Sequence, residues 1–133
     1  MRVLVDTSFW SSVLRRKSPE ENNARLLSLL IEEFKVVMIG PIRQELLSGV
    51  TKQTHFDHLK SQLTEFPNYA IETEDYELAA HYYNLGRENG IQGSHIDYLI
   101  CAVSVANDLE ILTLDKDFKN YQNVLPIKLY SSS

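Results

Sequence analysis

The chain has 133 residues, enough for one domain with a real core and too few for two of ordinary size. With 44% hydrophobic and 23% charged residues it has the composition of a folded globular protein, and no apolar run approaches the ~18 residues of a membrane span. Its formal charge of -5 excludes a generally basic nucleic-acid-gripping surface, since non-specific affinity comes from Lys and Arg neutralising phosphates; if RNA or DNA is bound, divalent metal at a carboxylate cluster is one source of the missing positive charge.

The opening MRVLVD reads as a short buried strand ending in a carboxylate, too short and too soon acidic for a signal peptide. TSFWSSVLRR then forms a helix, with Phe9 favoured for the core and Trp10 open between core and a partner groove. Ser18-Pro19-Glu20-Glu21 is a helix start with Ser18 as N-cap and Glu21 closing a capping box, followed by an apolar stripe of Leu26, Leu27, Leu30, Ile31 and Phe34. KVVMIG is a second buried strand, and Gly40-Pro41 opens a helix that Gly49 ends.

Phe56, Leu59, Leu63 and Phe66 recur at helical spacing, and YAI after Pro67-Asn68 is a weaker strand. A helix from Thr73 to Gly90 begins with an acidic turn that suits its dipole. Ser94 caps a further helix, IDYLICAVSVAN, whose Cys101 reads as a buried inert thiol, consistent with a reducing cytoplasm. LEILTL is a third strand and IKLY an edge strand. Alternating strands and helices predict a single α/β domain over 1–133, with a mostly parallel central sheet flanked by helices on both faces.

In such sheets functional groups gather at the carboxyl ends of the strands. Asp6 ends the first strand, Glu45 lies in the helix after the second, Asp97 in the first turn of the capped helix, and Asp115 and Asp117 after the third strand. Each has an ordinary explanation: Asp6 as a helix cap, Glu45 as a solvated helix residue, Asp97 as the acidic half of a capping box, Asp115 and Asp117 as turn formers. Collectively they have none in stability, because carboxylates packed together repel unless a cation sits among them. Oxygen-only ligands suit Mg²⁺ or Mn²⁺, whereas Zn²⁺ favours His and Cys clusters; His55 and His58, three apart, are at best a weak pair.

VLVDTSFW, IRQELLSG, IDYLICAVSVAN and ILTLDKDF occur in the order and at the distances seen in PIN-domain proteins. Over nearly its whole length the chain resembles that family, and more narrowly the VapC-type toxin ribonucleases of prokaryotic toxin–antitoxin pairs. The resemblance implies a catalytic quartet of Asp6, Glu45, Asp97 and Asp115. Metal would be held by Asp6, Asp97 and Asp115, with Asp117 as an extra or substitute acid. It further implies Mg²⁺- or Mn²⁺-dependent hydrolysis of RNA phosphodiesters, Ser8 and Thr113 as flanking polar contacts, and a small VapB-type antitoxin partner in a homodimer or hetero-oligomer. Arg15, Arg16, Lys17 and Arg43 read evenly as RNA-backbone contacts and as ordinary surface charge. Cys101 and Val103 make the run after Asp97 bulkier than the family pattern.

Three other readings compete. A housekeeping RNA-processing nuclease of the same fold lacks only an antitoxin; a phosphotransferase would use Asp6 as nucleophile, against which DTS lacks a second aspartate two residues on; a non-catalytic interaction module would tolerate loss of all the acids.

Overall fold

Val3, Leu4 and Val5 are each 0% exposed, although successive strand residues point to opposite faces. Both faces of the strand they form, β1 (Val3–Val5), are therefore covered. In the computed structural model, which describes residues 1–131, β1 is central in a four-stranded sheet of order β2-β1-β3-β4. Here β2 is Val36–Val37, β3 is Glu110–Leu112 and β4 is Lys128–Leu129, and every pairing is parallel. Ser132 and Ser133, the last positions of the domain expected over 1–133, lie outside the described residues.

The described helices are α1 (Thr7–Leu14), α2 (Glu21–Glu32), α3 (Gly40–Leu47), α4 (Gln53–Leu63), α5 (Thr73–Glu88), α6 (His95–Ala106) and α7 (Asp117–Gln122). Parallel neighbours need such crossovers, and the helices pack in two groups: α1 against α2 and α3, with α3 on α4, and α5 against α6, with α6 on β3. The closeness of the α5–α6 pair depends on Gly86, where an added Cβ would lie 2.0 Å from the Tyr98 hydroxyl. Cys101 is fully buried in α6, and burial raises its thiol pKa well above the ordinary value, as expected of an inert cysteine.

Local expectations changed at three places, and the open assignment of Trp10 is decided. The cap of α2 is Glu20, whose carboxylate accepts from the Asn22 and Asn23 amides, and not Ser18. The Glu20 amide donates to the Ser12 carbonyl and Asn23 Nδ2 to Ser12 Oγ, so the register of α2 is set by its tie to α1 and the Ser18–Pro19 segment stays in the exposed turn. Phe34 does not complete the apolar stripe: the helix ends at Glu32, and Phe34, at φ 57°, is 89% exposed. YAI is not a strand; Asn68 makes an isolated bridge to Met38, and the Tyr69 amide donates to the Met38 carbonyl. Trp10 belongs to the core, 1% exposed and edge-on to Phe66.

Candidate active site

The amide of Asp6 donates to Leu112 of β3 and its carbonyl accepts from Phe9 and Trp10, which places its side chain at the carboxyl edge of the two central strands. It stands at the N-cap position of α1, yet its side chain makes no capping bond. Instead Oδ2 accepts from Thr113 Oγ1 at 2.7 Å and Ser8 Oγ at 3.0 Å, with the two hydroxyls 3.2 Å apart. Ser8 Oγ in turn accepts from the Leu114 amide, and Thr113 Oγ1 from the Asp115 amide. A continuous network thus joins the end of β1 to the loop after β3. Asp6 is held by it while only 6% exposed, and capping does not explain the residue.

Asp97 enters from α6. Its amide donates to Ser94 Oγ as the cap requires, which leaves the carboxylate for another use: Oδ2 accepts from the Tyr121 hydroxyl at 2.7 Å. Burial is the largest cause raising the Asp97 pKa above the ordinary carboxylate value; the charges of Asp6 and Asp115 add to it, and the Tyr121 hydrogen bond partly offsets it. That electrostatic coupling brings Asp6, Asp97 and Asp115 into one field.

Asp117 stands differently. It is exposed, opens α7, and its amide donates to Asp115 Oδ1; its charge acts on Tyr121 and is not among those that raise Asp97. Glu45 of α3 reaches the same edge through Thr7, whose Oγ1 donates to its Oε1 at 2.7 Å, and Thr7 follows Asp6 directly. Arg43 has a structural engagement, with Nε on Asn68 Oδ1 and its terminal nitrogens on the carbonyls of Leu63 and Phe66. Arg15 and Arg16 are exposed beyond the far end of α1.

Sequence reasoning missed two residues of this edge, Thr7 and Tyr121. Tyr121 is fully buried between Tyr98 and Phe118, each with ring centroids 5.1 Å away, and is the group that aims Asp97. Its own pKa is raised strongly, first by burial and then by the Asp97 carboxylate it serves, so it remains a neutral donor. Gly93 makes room for it: a Cβ there would lie 2.6 Å from the tyrosine oxygen. The serine of DTS and the threonine of LTLD signalled the polar network around Asp6; nothing local signalled a tyrosine 24 residues from the acid it holds.

The family model for the PIN domain matches residues 3–124. The chain belongs to the PIN-domain family. Solved structures agree with it in fold: a chain of the FitAcB crystal structure from Neisseria gonorrhoeae superposes with a TM-score of 0.78 at 18% identity, covering 97% of this chain and 96% of that one. A chain of VapBC2 from Rickettsia felis, crystallised bound to a DNA fragment from the promoter, gives 0.76 at 15% identity, covering 98% and 100%. No curated protein matches the sequence.

The fit of this PIN site to a metal rests on its donors. Asp6, Asp97, Asp115 and Glu45 offer only carboxylate oxygens, which suit a hard divalent cation, and after burial the charges of Asp6 and Asp115 are among the causes that raise the Asp97 pKa. Among the described residues no three His, Cys, Asp or Glu side chains are grouped to hold an ion directly. Mg²⁺ asks for less, since it keeps several waters and takes one or two carboxylates together with substrate phosphates. The residues present fit such an ion.

Proposed function

We propose that this PIN-domain protein is a metal-dependent endoribonuclease, the toxin of a VapC-type toxin–antitoxin pair, with Mg²⁺ or Mn²⁺ at its acidic edge. The observation that carries the reading is the convergence of acids from three elements: Asp6 and the Asp115 amide share the Thr113 hydroxyl, and the charges of Asp6 and Asp115 add to burial in raising the Asp97 carboxyl, a grouping for which stability gives no reason. The VapBC2 neighbour supports the toxin assignment and a small VapB-type antitoxin as partner in a hetero-oligomer; homodimerisation and a cytoplasmic location belong to the same proposal. No helix of the described residues is long and apolar enough to cross a membrane.

In this reading Asp6, Asp97 and Asp115 would hold the ion, one or two of them directly and the rest through its waters, while the Asp115 carboxylate also accepts from the Asp117 amide at the start of α7. When bound, the ion lowers the pKa of a water ligand and offsets charge on the scissile phosphate. Ser8 and Thr113 fix the Asp6 carboxylate in one orientation, and Tyr121 does the same for Asp97, so neither acid has to reorganise as substrate arrives. Glu45, whose Oε1 accepts from the Thr7 hydroxyl beside Asp6, would in this reading accept a proton from the attacking water. No protein nucleophile is needed.

The test is cleavage of total RNA by the purified protein with Mg²⁺ or Mn²⁺, with and without EDTA, beside the Asp6→Ala variant. Discrete products that disappear with EDTA and in the variant are the expected result. Identical products from protein and variant would sink the reading.

A further inference from the structure

The chain carries a net charge of -5, yet one groove on it is wholly cationic in its charged lining. Arg15, Arg16 and Lys17 follow the end of α1 and face Lys52, His55 and His58 at the start of α4, around a cavity of about 440 Å³ floored by Leu14, Val50 and Leu59. No aspartate or glutamate lines it. Among the described residues the ion pairs are Arg25–Glu21, Lys35–Glu33 and Lys128–Asp108, so the groove's arginines and lysines stand unneutralised. All four are exposed.

The connection between α3 and α4 passes beside Arg15 at the groove. Gly49 adopts φ +85°, and a Cβ there would sit 3.8 Å from the Arg15 guanidinium, which brings backbone close beneath that charge. The eight residues of α1 separate the groove from Asp6 by about 12 Å of helix rise, and Gly49 follows Glu45 by four residues, just past the end of α3.

Building on the ribonuclease reading, we propose that this groove is a phosphate-backbone site for single-stranded RNA. It holds the strand a few nucleotides from the bond to be cut. Permanent charges at Arg15, Arg16, Lys17 and Lys52 contact successive phosphates, while the imidazoles of His55 and His58 offer donors and flat surfaces on which an unpaired base stacks. This assigns the positive charge that the net composition denies, confined to one end of α1 where it does not neutralise the acids at the other.

The experiment measures binding of a short labelled single-stranded RNA of mixed sequence by fluorescence anisotropy, with EDTA present so that no strand is cut, across a range of salt. Removing three charges in Arg15→Gln/Arg16→Gln/Lys52→Gln is expected to weaken binding about 10- to 100-fold at low salt and make the slope of log K against log salt shallower by about 2. The charge-preserving variant Arg15→Lys/Arg16→Lys/Lys52→Arg should keep the slope, and matching thermal melts for both variants check the fold. An unchanged slope in the charge-removed protein, or no RNA binding by the unaltered one, overturns the proposal. So does loss of binding to a polyglutamate peptide with RNA affinity intact, which would assign the groove to an acidic protein segment. RNA binding of the expected kind without metal-dependent cleavage upholds the groove and refutes the nuclease.

Discussion

The two ends of α1 differ in how their charged groups are held. At its start Asp6 is nearly buried, bonded to two hydroxyls, and its charge adds to those that raise the Asp97 carboxyl; at its end Arg15, Arg16 and Lys17 are exposed and, among the described residues, paired with no carboxylate. Chemistry needs fixed geometry, because a misplaced ligand changes the transition state; a backbone contact needs only charge in roughly the right place. The comparison teaches that substitutions at the start of the helix should act on catalytic rate and those at its end on affinity and its salt dependence.

The largest expected effect comes from Asp97→Asn, which keeps an oxygen for Tyr121 and removes the charge. Cleavage should fall by about 1,000-fold or more, since metal stabilisation of the transition state is worth several kcal/mol. Single-turnover kinetics at saturating Mn²⁺ measure it, and a loss confined to KM would break the distinction drawn between the two ends. Tyr121→Phe comes next. The ring stays packed but Asp97 loses its orienting donor, for an expected 10- to 100-fold fall in cleavage and about 1–3 kcal/mol of stability by urea unfolding.

A third prediction concerns pH. Because the Asp97 carboxyl titrates above its ordinary value in the folded, metal-free protein, the fold favours its protonated form. That contribution is fully present below the ordinary carboxylate range and is lost as pH rises through the raised pKa. Melts in EDTA should therefore show Tm falling across that window, and Asp97→Asn should flatten the dependence; an identical pH profile for the variant would remove the electrostatic basis of the site. The smallest effect is expected for Thr7→Val, which frees Glu45 without removing it: cleavage should drop by about tenfold or less, with RNA affinity in EDTA unchanged.

The acids were legible because parallel sheets put them where short motifs end: Asp6 closes VLVD, Asp97 follows a serine cap, and Asp115 comes just after a strand. The parallel sheet and helices α1 to α6 followed from the same alternation, whereas the strand order and α7 did not. What remained hidden depends on tertiary contact. Tyr121 is an unremarkable aromatic until α7 turns it back onto α6, and Glu20 displaced Ser18 as a cap because bonds to Ser12 set the start of α2. Phe34 looked like core because helical spacing cannot show that the chain has already left the helix.

The strand order has a consequence for how the protein is made. The central strand β1 pairs Val3 with Val36 on one side and with Glu110 on the other, so its second neighbour lies 107 positions further along the chain. A growing polypeptide can pair β1 with β2 early, but Asp6 obtains the Thr113 hydroxyl and the neighbouring Asp115 only after residues 113–115 have been synthesised. At ribosomal speeds of roughly 5–20 residues per second that interval is on the order of 5–20 s. Until residues 113–115 have been made, a nascent chain therefore has Asp6 at the end of β1 without the Thr113 hydroxyl that fixes its carboxylate.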